Sequence, residues 1–361
     1  MKNTVKLIFL ILLSFIISCS LFQNEEDEIP PKNVREMEWE IMDTVKTEGS
    51  NSERLRAIWG SSPNDLYIVG ELHRGMYHYD GNEWNKVIIE NIEGMNGPLA
   101  EGHFELGDVS GFGSNVIAVG TERIISPDSG SLILYKNGTE WERFNPRPGG
   151  MLNNVFAYDS ENIWVGGSFS TLYKYNGSDW SSYTLPFPDN FINGFYSRPS
   201  DIAGNNSNNI YLKMYDMAGH DYLMNYNGSN WTLIDSLPGY YDDGEMWVSP
   251  SGIVYSIGLF QISKWDGSWE TIFRNDNYEY WFQGIVGTDD NNITVLGYYA
   301  GFYAFQPTLF HYNGDDWAEL QILDEEVSML TKDIWTDGQE IWIIGMPSDF
   351  QNKSTMIVRG K

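Results

Sequence analysis

Short runs of alternating apolar and polar residues recur along most of the chain and predict β-strands. In the first copy these runs cover residues 57–60, 66–70, 75–79 and 84–87. They are rich in β-branched and aromatic side chains, and Asn, Asp, Gly or Pro residues separate them, as in strands joined by tight turns. A new set of runs begins about every 40 to 55 residues, which indicates repeats of one four-stranded unit.

One phrase, Tyr-(Asp/Asn)-Gly-x-x-Trp, joins the third run to the fourth. Its four full copies and two looser copies begin at Tyr79, Tyr175, Tyr226, Tyr312, Tyr135 and Trp265. The second run occurs seven times, at residues 66–70, 116–120, 163–166, 210–212, 254–258, 293–297 and 341–345. We therefore predict an all-β, seven-bladed β-propeller over residues 36–361, with four antiparallel strands per blade. The N-terminal strand around Trp39 completes the last blade, and this closure removes the free sheet edges.

The spacing of glycine, tyrosine and tryptophan resembles the repeats of kelch proteins and galactose oxidase. The residues that carry this resemblance are Gly70, Tyr79 and Trp84 in the first repeat and Gly166, Gly167, Tyr175 and Trp180 in the third. Residues 59–65 read Trp-Gly-Ser-Ser-Pro-Asn-Asp and resemble a phrase of bacterial lipoprotein propellers. Both resemblances imply a propeller fold. The copper site of galactose oxidase has no match, because its thioether cross-link needs a cysteine that the predicted propeller lacks.

The first 18 residues have the features of a signal peptide. Lys2 and Lys6 precede an apolar stretch, residues 7–17, that is too short for a permanent membrane span. Residues 16–19 read Ile-Ile-Ser-Cys and resemble the bacterial lipobox, so we expect Cys19 to carry lipid, including palmitate. Cys19 is the only cysteine, which excludes an intramolecular disulfide. Residues 19–35 predict an acidic flexible tether, and the whole pattern predicts a surface-exposed outer-membrane lipoprotein.

The charge of the chain limits its partners. Acidic side chains outnumber basic ones by 50 to 22. Such a surface repels nucleic acid and anionic lipid headgroups, so we expect no nucleic acid partner. We expect membrane contact only through the lipid on Cys19, and a propeller that is monomeric.

Variation in loop length indicates a binding face. The first-to-second and third-to-fourth links keep nearly constant lengths, whereas the other two links vary and lie on the opposite face of the ring. Aromatic and acidic residues on that variable face suit a sugar or a protein partner, although they also suit packing beneath their own loops. The candidate ligand-binding residues are Tyr215, Asp216, Tyr240, Tyr241, Asp242, Tyr280, Trp281, Tyr298, Tyr299 and Tyr303.

The sequence contains no recognisable catalytic or metal constellation. His78 and His311 share one repeat position, which we expect on a strand surface, and no histidine pair has zinc-ligand spacing. Residues 242–245 and 289–292 carry hard oxygen ligands suited to calcium, but they lack the EF-hand spacing. We therefore expect them to be solvated turns, and we expect no cofactor.

The leading hypothesis is a lipid-anchored binding propeller of the cell envelope that holds a glycan or a protein on its variable face. The alternative is an exported carbohydrate-active enzyme, a glycosidase or a lyase, that uses carboxylates at the ring mouth. A third hypothesis is a structural subunit of an envelope assembly.

Overall fold

The computed structural model describes residues 29–46, 54–71, 75–89, 104–122, 130–144, 150–236, 244–275, 279–300, 305–347 and 354–361. The chain forms two compact units, Met1–Pro31 and Lys32–Lys361. In the first unit the described residues, 29–31, are exposed coil. In the second unit, the described residues form strands, connecting loops and two short 3-10 turns, Val34–Glu36 and Ser168–Ser170. None of the helical segments in the described part of the chain has the length and apolarity that a bilayer crossing requires.

The described ranges of the second unit contain 28 strands. In chain order they are β1 (Trp39–Lys46), β2 (Arg54–Ser62), β3 (Asp65–Glu71), β4 (Met76–Tyr79), β5 (Trp84–Lys86), β6 (Phe104–Phe112), β7 (Asn115–Glu122), β8 (Ser131–Asn137), β9 (Glu140–Arg143), β10 (Leu152–Asp159), β11 (Asn162–Gly167), β12 (Thr171–Tyr175), β13 (Trp180–Ser182), β14 (Arg198–Asn206), β15 (Asn209–Tyr215), β16 (Asp221–Tyr226), β17 (Trp231–Ser236), β18 (Met246–Val248), β19 (Val254–Ile257), β20 (Gln261–Trp265), β21 (Trp269–Arg274), β22 (Tyr280–Asp289), β23 (Asn292–Ala300), β24 (Phe305–Tyr312), β25 (Trp317–Gln321), β26 (Met329–Thr336), β27 (Ile341–Pro347) and β28 (Ser354–Gly360).

These strands form seven antiparallel sheets of four strands, the blades of a β-propeller. Blades 1 to 6 are β2–β5, β6–β9, β10–β13, β14–β17, β18–β21 and β22–β25, and blade 7 is β26–β28 with β1. The first strand of each blade is the inner strand, and β26 contacts both β22 and β2, so the ring is closed. The predicted fold class is therefore confirmed.

The two ends of the propeller meet in blade 7, as predicted. Strand β1 pairs with β28 in a register that places Trp39 opposite Gly360. A Cβ atom at Gly360 would lie 2.7 Å from the Trp39 ring, so the indole covers the glycine. The Lys361 and Glu38 backbones exchange two hydrogen bonds of 3.0 and 2.9 Å. The first and last strands of the ring therefore belong to one sheet.

The repeated phrase forms one structural unit at each third-to-fourth turn. In the four full copies the Tyr hydroxyl donates to the Gly carbonyl within the same turn, at 2.7 to 3.1 Å. The Asp or Asn side chain accepts from the next two backbone N–H groups after the glycine, as in an Asx turn. The glycines have φ between 89° and 94°, a region that other residues rarely adopt.

The hydrophobic core lies between neighbouring blades. Trp164 of blade 3 contacts the rings of Tyr226 and Trp231 in blade 4, with centroids 4.8 and 5.2 Å apart. In the same way, Trp342 of blade 7 contacts Tyr79 and Trp84 of blade 1. The aromatic residues of the phrase therefore join blade 4 to blade 3 and blade 1 to blade 7.

His311 differs from the expectation of a surface position. Its side chain is buried, with 3 % exposure, because Arg35 covers it. The Arg35 Nε atom donates to His311 Nδ1 at 3.3 Å, and Arg35 Nη2 also donates to the His311 and Asp316 carbonyls. Residues 32–35, which the sequence assigns to the tether, thus pack on the ring. Burial, and secondarily the charge of Arg35, lowers the pKa of His311 to about 4.

Candidate functional site

The inner strands carry a repeated irregularity near their first residues. In blades 1 to 4 the pairing with the second strand skips Arg56, Gly107, Asn153 and Ser200. Blades 6 and 7 have the same shift before Gly284 and Asp333. A bulge leaves the extra residue unpaired and turns its side chain away from the regular alternation. The bulges therefore place residues that are unpaired in the sheet at one end of the ring.

A pocket of about 350 Å³ opens at that end, and the bulged residues of blades 1 to 4 all line it. This volume lies in the range of small-molecule sites. Its remaining lining comes from the starts of inner strands, the ends of second strands and the links that precede inner strands, and includes Glu105, Thr121, Met151, Phe195, Tyr196 and Arg198.

The pocket lies on the face where link lengths vary. The first-to-second links, on the other face, are two residues long in blades 1, 2, 3, 4 and 6. The fourth-to-first links range from five residues, 275–279, to 17 residues, 87–103. Because neighbouring strands are antiparallel, the fourth-to-first and second-to-third links share the pocket's face. The sequence pattern and the pocket thus indicate the same side of the ring.

Three buried acceptors in the pocket lining have no protein partner within the described residues: Asn153 Oδ1, Asn154 Oδ1 and Ser200 Oγ. The Asn154 amide is held in place, because its Nδ2 donates to the Ser200 carbonyl at 3.1 Å. Buried polar atoms are normally hydrogen-bonded, by protein, water or a ligand. These oxygens therefore suit a ligand that brings hydrogen-bond donors.

Exposed rings lie beside the pocket, and we call Phe169, Phe195 and Tyr196 the aromatic platform. Their side chains are 53, 43 and 59 % exposed. The Phe169 and Phe195 centroids are 5.6 Å apart, and the Phe195 and Tyr196 centroids are 5.2 Å apart. Phe169 has φ 59° and ψ 30°, a left-handed conformation that is costly for a bulky residue. Such strain is characteristic of functional positions.

The backbone beneath the platform maintains this conformation. Ser170, which also has a positive φ of 57°, donates its backbone N–H to the Ser197 carbonyl at 2.7 Å. Its hydroxyl donates to Asn193 Oδ1 at 3.1 Å. The link between β11 and β12 is thus tied to the link that carries Phe195 and Tyr196. The three rings are held as one surface.

Below the pocket mouth, acidic side chains occupy equivalent positions in four blades, three of them within inner strands and the fourth directly before its inner strand. They are Asp108, Asp201, Glu245 and Asp333, and we call them the carboxyl ring. The equivalent residues in blades 1, 3 and 6 are Ala57, Asn154 and Gly284.

Each of these carboxyl groups joins its own blade to the following one. Asp108 Oδ2 accepts from Val155 N, and Asp201 Oδ2 accepts from Met246 N, at 2.8 and 2.6 Å. Glu245 Oε2 accepts from Ile285 N at 3.3 Å. Asp333 Oδ2 accepts from Ile58 N at 2.7 Å, across the closure from blade 7 to blade 1. The carboxyl ring thus connects neighbouring inner strands at four of the seven boundaries.

The enclosure of these groups raises their pKa values. Burial, with further contributions from the other carboxylates, raises the pKa of Asp108 to about 8 and of Asp333 to about 7. Burial raises the pKa of Asp201 to about 6, where hydrogen bonds and the cation of Lys213 limit the shift. The pKa of Glu245 is raised well above its ordinary range by burial and by Asp333. At neutral pH the ring therefore holds protons.

The sequence-derived candidates lie elsewhere on the ring. Tyr215 ends β15, and the enclosed carboxylate of Asp216 accepts from the backbone N–H groups of Ala218 and His220 within its own loop. In blade 6 the Tyr280 hydroxyl donates to Glu319, Trp281 and Tyr299 are partly exposed, and Tyr298 is buried. None of these residues lines the pocket. Cys19, Tyr240, Tyr241, Asp242 and Tyr303 lie outside the described residues.

The two runs considered for calcium are used in other ways. Asp290 accepts from the Tyr255 hydroxyl at 3.0 Å, and Asp289 Oδ1 accepts from Asn291 N at 2.7 Å. Glu245, at the end of the first run, belongs to the carboxyl ring. Over the described ranges, no cluster of three or more His, Cys, Asp or Glu side chains has a geometry that could hold a metal ion.

Reasoning from the sequence missed the bulged residues, the aromatic platform and the carboxyl ring. A signal for the ring exists, because Asp333 and Glu245 each precede a first-strand tryptophan by two residues, and Asp108 and Asp201 occupy the same repeat position. The bulges have no comparable signal, since the register of a strand depends on its partner.

Comparisons with known proteins agree with the fold. No protein-family profile and no curated protein matches the chain. Among solved structures, an ulvan lyase of polysaccharide lyase family PL25, bound to -[GlcA(1-4)Rha3S]-, superposes with a TM-score of 0.56 and 12 % identity, covering 87 % of this chain and 95 % of that one. The Dos1 propeller has a TM-score of 0.53 and 8 % identity, with 90 % and 95 % covered.

A third similar structure is the extracellular domain of a putative hybrid two-component system from B. thetaiotaomicron. It has a TM-score of 0.53 and 12 % identity, covering 86 % of this chain and 40 % of that chain. At such identities these likenesses define the class, a seven-bladed β-propeller, and nothing finer.

Proposed function

We propose that the protein is a carbohydrate-binding propeller that holds a glycan in the pocket and against the aromatic platform. The observation that carries this proposal is the set of unpaired acceptors, Asn153 Oδ1, Asn154 Oδ1 and Ser200 Oγ, in a pocket beside exposed rings. Sugar hydroxyls donate hydrogen bonds to such oxygens, and the apolar faces of sugar rings pack on aromatic side chains.

The lining of the pocket favours binding over glycoside hydrolysis. A hydrolase of the common type needs two carboxyl groups on either side of the scissile bond. Among the residues that the structure describes, the pocket lining contains one carboxyl group, that of Glu105. The nearby carboxyl ring is engaged with backbone N–H groups of adjacent blades. We therefore infer that the glycan is held and not cleaved.

We further propose that the propeller is displayed on the outer membrane through lipid on Cys19, which follows an apolar leader and precedes an acidic tether. Labelled palmitate should be incorporated into the wild-type protein and lost in Cys19→Ser. Protease treatment of intact cells should digest the wild-type protein. Equal labelling of both forms would contradict lipidation of Cys19. Protection of the wild-type protein from protease would contradict its location on the cell surface.

The binding proposal is tested with immobilised polysaccharides. The panel contains neutral members (laminarin, galactan, xyloglucan) and acidic members (pectate, alginate, hyaluronan). We expect retention on at least one member, and we expect Tyr196→Ala to weaken it about tenfold, because a stacking surface is lost. The matched control is Tyr158→Ala, an exposed tyrosine near the opposite end of β10, with 43 % exposure. The control should bind like wild type.

Two outcomes would reject the proposal. One is no retention on any polysaccharide of the panel, and the other is equal weakening by the two tyrosine variants. Appearance of new reducing ends or unsaturated sugars during incubation would instead establish the alternative, a carbohydrate-active enzyme.

A further inference from the structure

We propose that the glycan is acidic, and that Arg56 and Arg198 bind a carboxylate or sulfate group on its sugar units. This inference rests on the proposed function and names the chemical class of its ligand. Arg56 is the bulged residue of blade 1, and Arg198 is the first residue of β14 in blade 4. Both line the pocket, and the lining residues of blades 2 and 3 lie between them in the ring.

The charge of the pocket lining is opposite to that of the whole chain. The chain has 22 basic and 50 acidic side chains, for a net charge of −28. Among the described residues, the pocket lining contains two arginines and one carboxylate, Glu105. An excess of basic over acidic side chains is not expected from the composition of this chain, and it favours an anionic ligand.

Guanidinium groups suit this role because of their geometry. Arginine presents five N–H donors in a planar fork that matches a carboxylate or a sulfate in a bidentate manner. Arg56 and Arg198 have interaction partners within the protein. Because a guanidinium carries five N–H donors, an arginine can contact a ligand while it keeps a partner within the protein. Arg56 is exposed and Arg198 is partly buried, so both are accessible from the pocket face.

The surroundings of the arginines determine how the sugar lies. Asp108 and Asp201 follow the bulged residues Gly107 and Ser200 directly, so carboxyl groups lie below the pocket mouth. Asp201, with a pKa of about 6, is mostly ionised at neutral pH, so it keeps an anionic group on the sugar at the level of the arginines. The hydroxyls then face Asn153, Asn154 and Ser200, and the apolar face of a neighbouring sugar ring packs on the aromatic platform.

The net charge also limits the charge density of the ligand. A chain with a net charge of −28 repels a polymer that carries many negative charges per repeat. The expected ligand thus carries about one anionic group per sugar repeat. Densely sulfated polymers such as heparin should bind more weakly than singly charged ones at low salt, where screening is least.

Chemical modification of the ligand provides the first test, and it leaves the protein unchanged. Each acidic polysaccharide of the panel is compared with its carboxyl-reduced form, in which the carboxylate becomes a hydroxymethyl group. A singly sulfated galactan is compared with its desulfated form. We expect at least one acidic member to bind about tenfold or more tightly than its neutral counterpart. A preference in the carboxyl-reduction comparison identifies carboxylate as the group recognised, and a preference in the desulfation comparison identifies sulfate.

Variants then assign the preference to the arginines. Arg56→Gln and Arg198→Gln should each reduce the ratio of acidic to neutral binding about tenfold, with little change in binding of the neutral form. The control is Arg274→Gln, at an exposed arginine that ends β21 outside the pocket, and it should keep the wild-type ratio. Thermal unfolding checks that each variant is folded.

The outcomes separate the two proposals. Retention of neutral polysaccharides with no preference for their acidic partners would overturn the acidic class and leave carbohydrate binding in place. No retention of any member would overturn both. If both arginine variants are folded and still prefer the acidic forms, other residues bind the anionic group. That result would overturn the assignment to Arg56 and Arg198.

Discussion

The carboxyl groups of Glu245 and Asp333 lie close enough inside the ring to shift each other's pKa, although they belong to blades 5 and 7. Gly284, the equivalent residue of blade 6, makes this possible. A Cβ atom there would lie 3.3 Å from Glu245 Oε2 and 2.7 Å from Ile334 Cγ2. Two carboxylates this close cannot both ionise at low cost, so the pair shares a proton. The pair therefore spans three blades with one protonated contact.

The stability of the ring should fall as pH rises from about 4 to about 8. Asp108, Asp333 and Glu245 have pKa values that are raised above those of unfolded carboxyl groups, so in this range the folded state binds more protons than the unfolded state. The loss is complete only when pH has passed the folded values, which are about 8 for Asp108 and about 7 for Asp333. We expect a loss on the order of 2 kcal/mol between pH 6.5 and 8.5. Urea unfolding at several pH values measures it.

Glu245→Gln should flatten this dependence. The Gln amide keeps an acceptor for Ile285 N and a donor for Asp333, and it cannot ionise. At pH 8.5 we expect the variant to be more stable than wild type by about 1 kcal/mol. Glu40→Gln is the control, because the hydrogen bond from Lys361 lowers the pKa of Glu40, away from this window. A wild-type slope in Glu245→Gln would contradict the proton-sharing pair.

Removal of β1 should open the propeller. A chain that starts at residue 47 lacks β1 and leaves β28 as an unpaired edge, whereas a chain that starts at residue 29 keeps it. We expect the shorter form to melt at least about 10 °C lower and to self-associate through the exposed edge. Thermal unfolding and light scattering after gel filtration measure both effects. Equal melting of the two forms would refute closure by β1.

Loss of the Arg35 side chain should release His311. Arg35→Ala removes hydrogen bonds to His311 and Asp316, and we expect a loss of about 1–2 kcal/mol. Because the pKa of His311 is lowered to about 4, the folded state binds fewer protons than the unfolded one, so stability is lost as pH falls from about 6.5 towards 4. In the variant, the NMR titration midpoint of His311 should rise.

That rise should be partial, because burial is the larger cause of the lowered pKa and the charge of Arg35 the smaller. Arg35→Lys separates the two contributions, since it keeps a charge and loses the planar fork. A titration midpoint that stays near 4 in Arg35→Ala would show that Arg35 neither covers nor repels the imidazole.

Two turn glycines should differ in how they tolerate alanine. Gly228 and Gly267 both have positive φ, 89° and 107°. A Cβ atom at Gly228 would lie 2.5 Å from Asn208 Oδ1, whereas at Gly267 nothing lies within 4 Å. We expect Gly267→Ala to cost about 1 kcal/mol through backbone strain alone, and Gly228→Ala to cost more. Equal losses in urea unfolding would mean that Asn208 moves aside freely.

Much of the fold followed from the sequence, because its determinants are local. The Asx side chain and the glycine of positive φ form each third-to-fourth turn within a few residues of chain. Counting these turns against second strands then predicted seven blades and the role of Trp39. Link lengths alone also indicated one face of the ring as the variable one, and the pocket lies on that face.

The site residues did not follow, because they are brought together by register and ring closure. Arg56 and Arg198 are 142 positions apart in the numbering, and only the bulges and the curvature of the ring place both at one pocket. Likewise Asp333 reaches Ile58 N only because blade 7 closes on blade 1. Local pattern therefore determined the repeats and their count. The tertiary structure alone decided which side chains meet, because contacts between blades depend on the pairing of residues far apart in the chain.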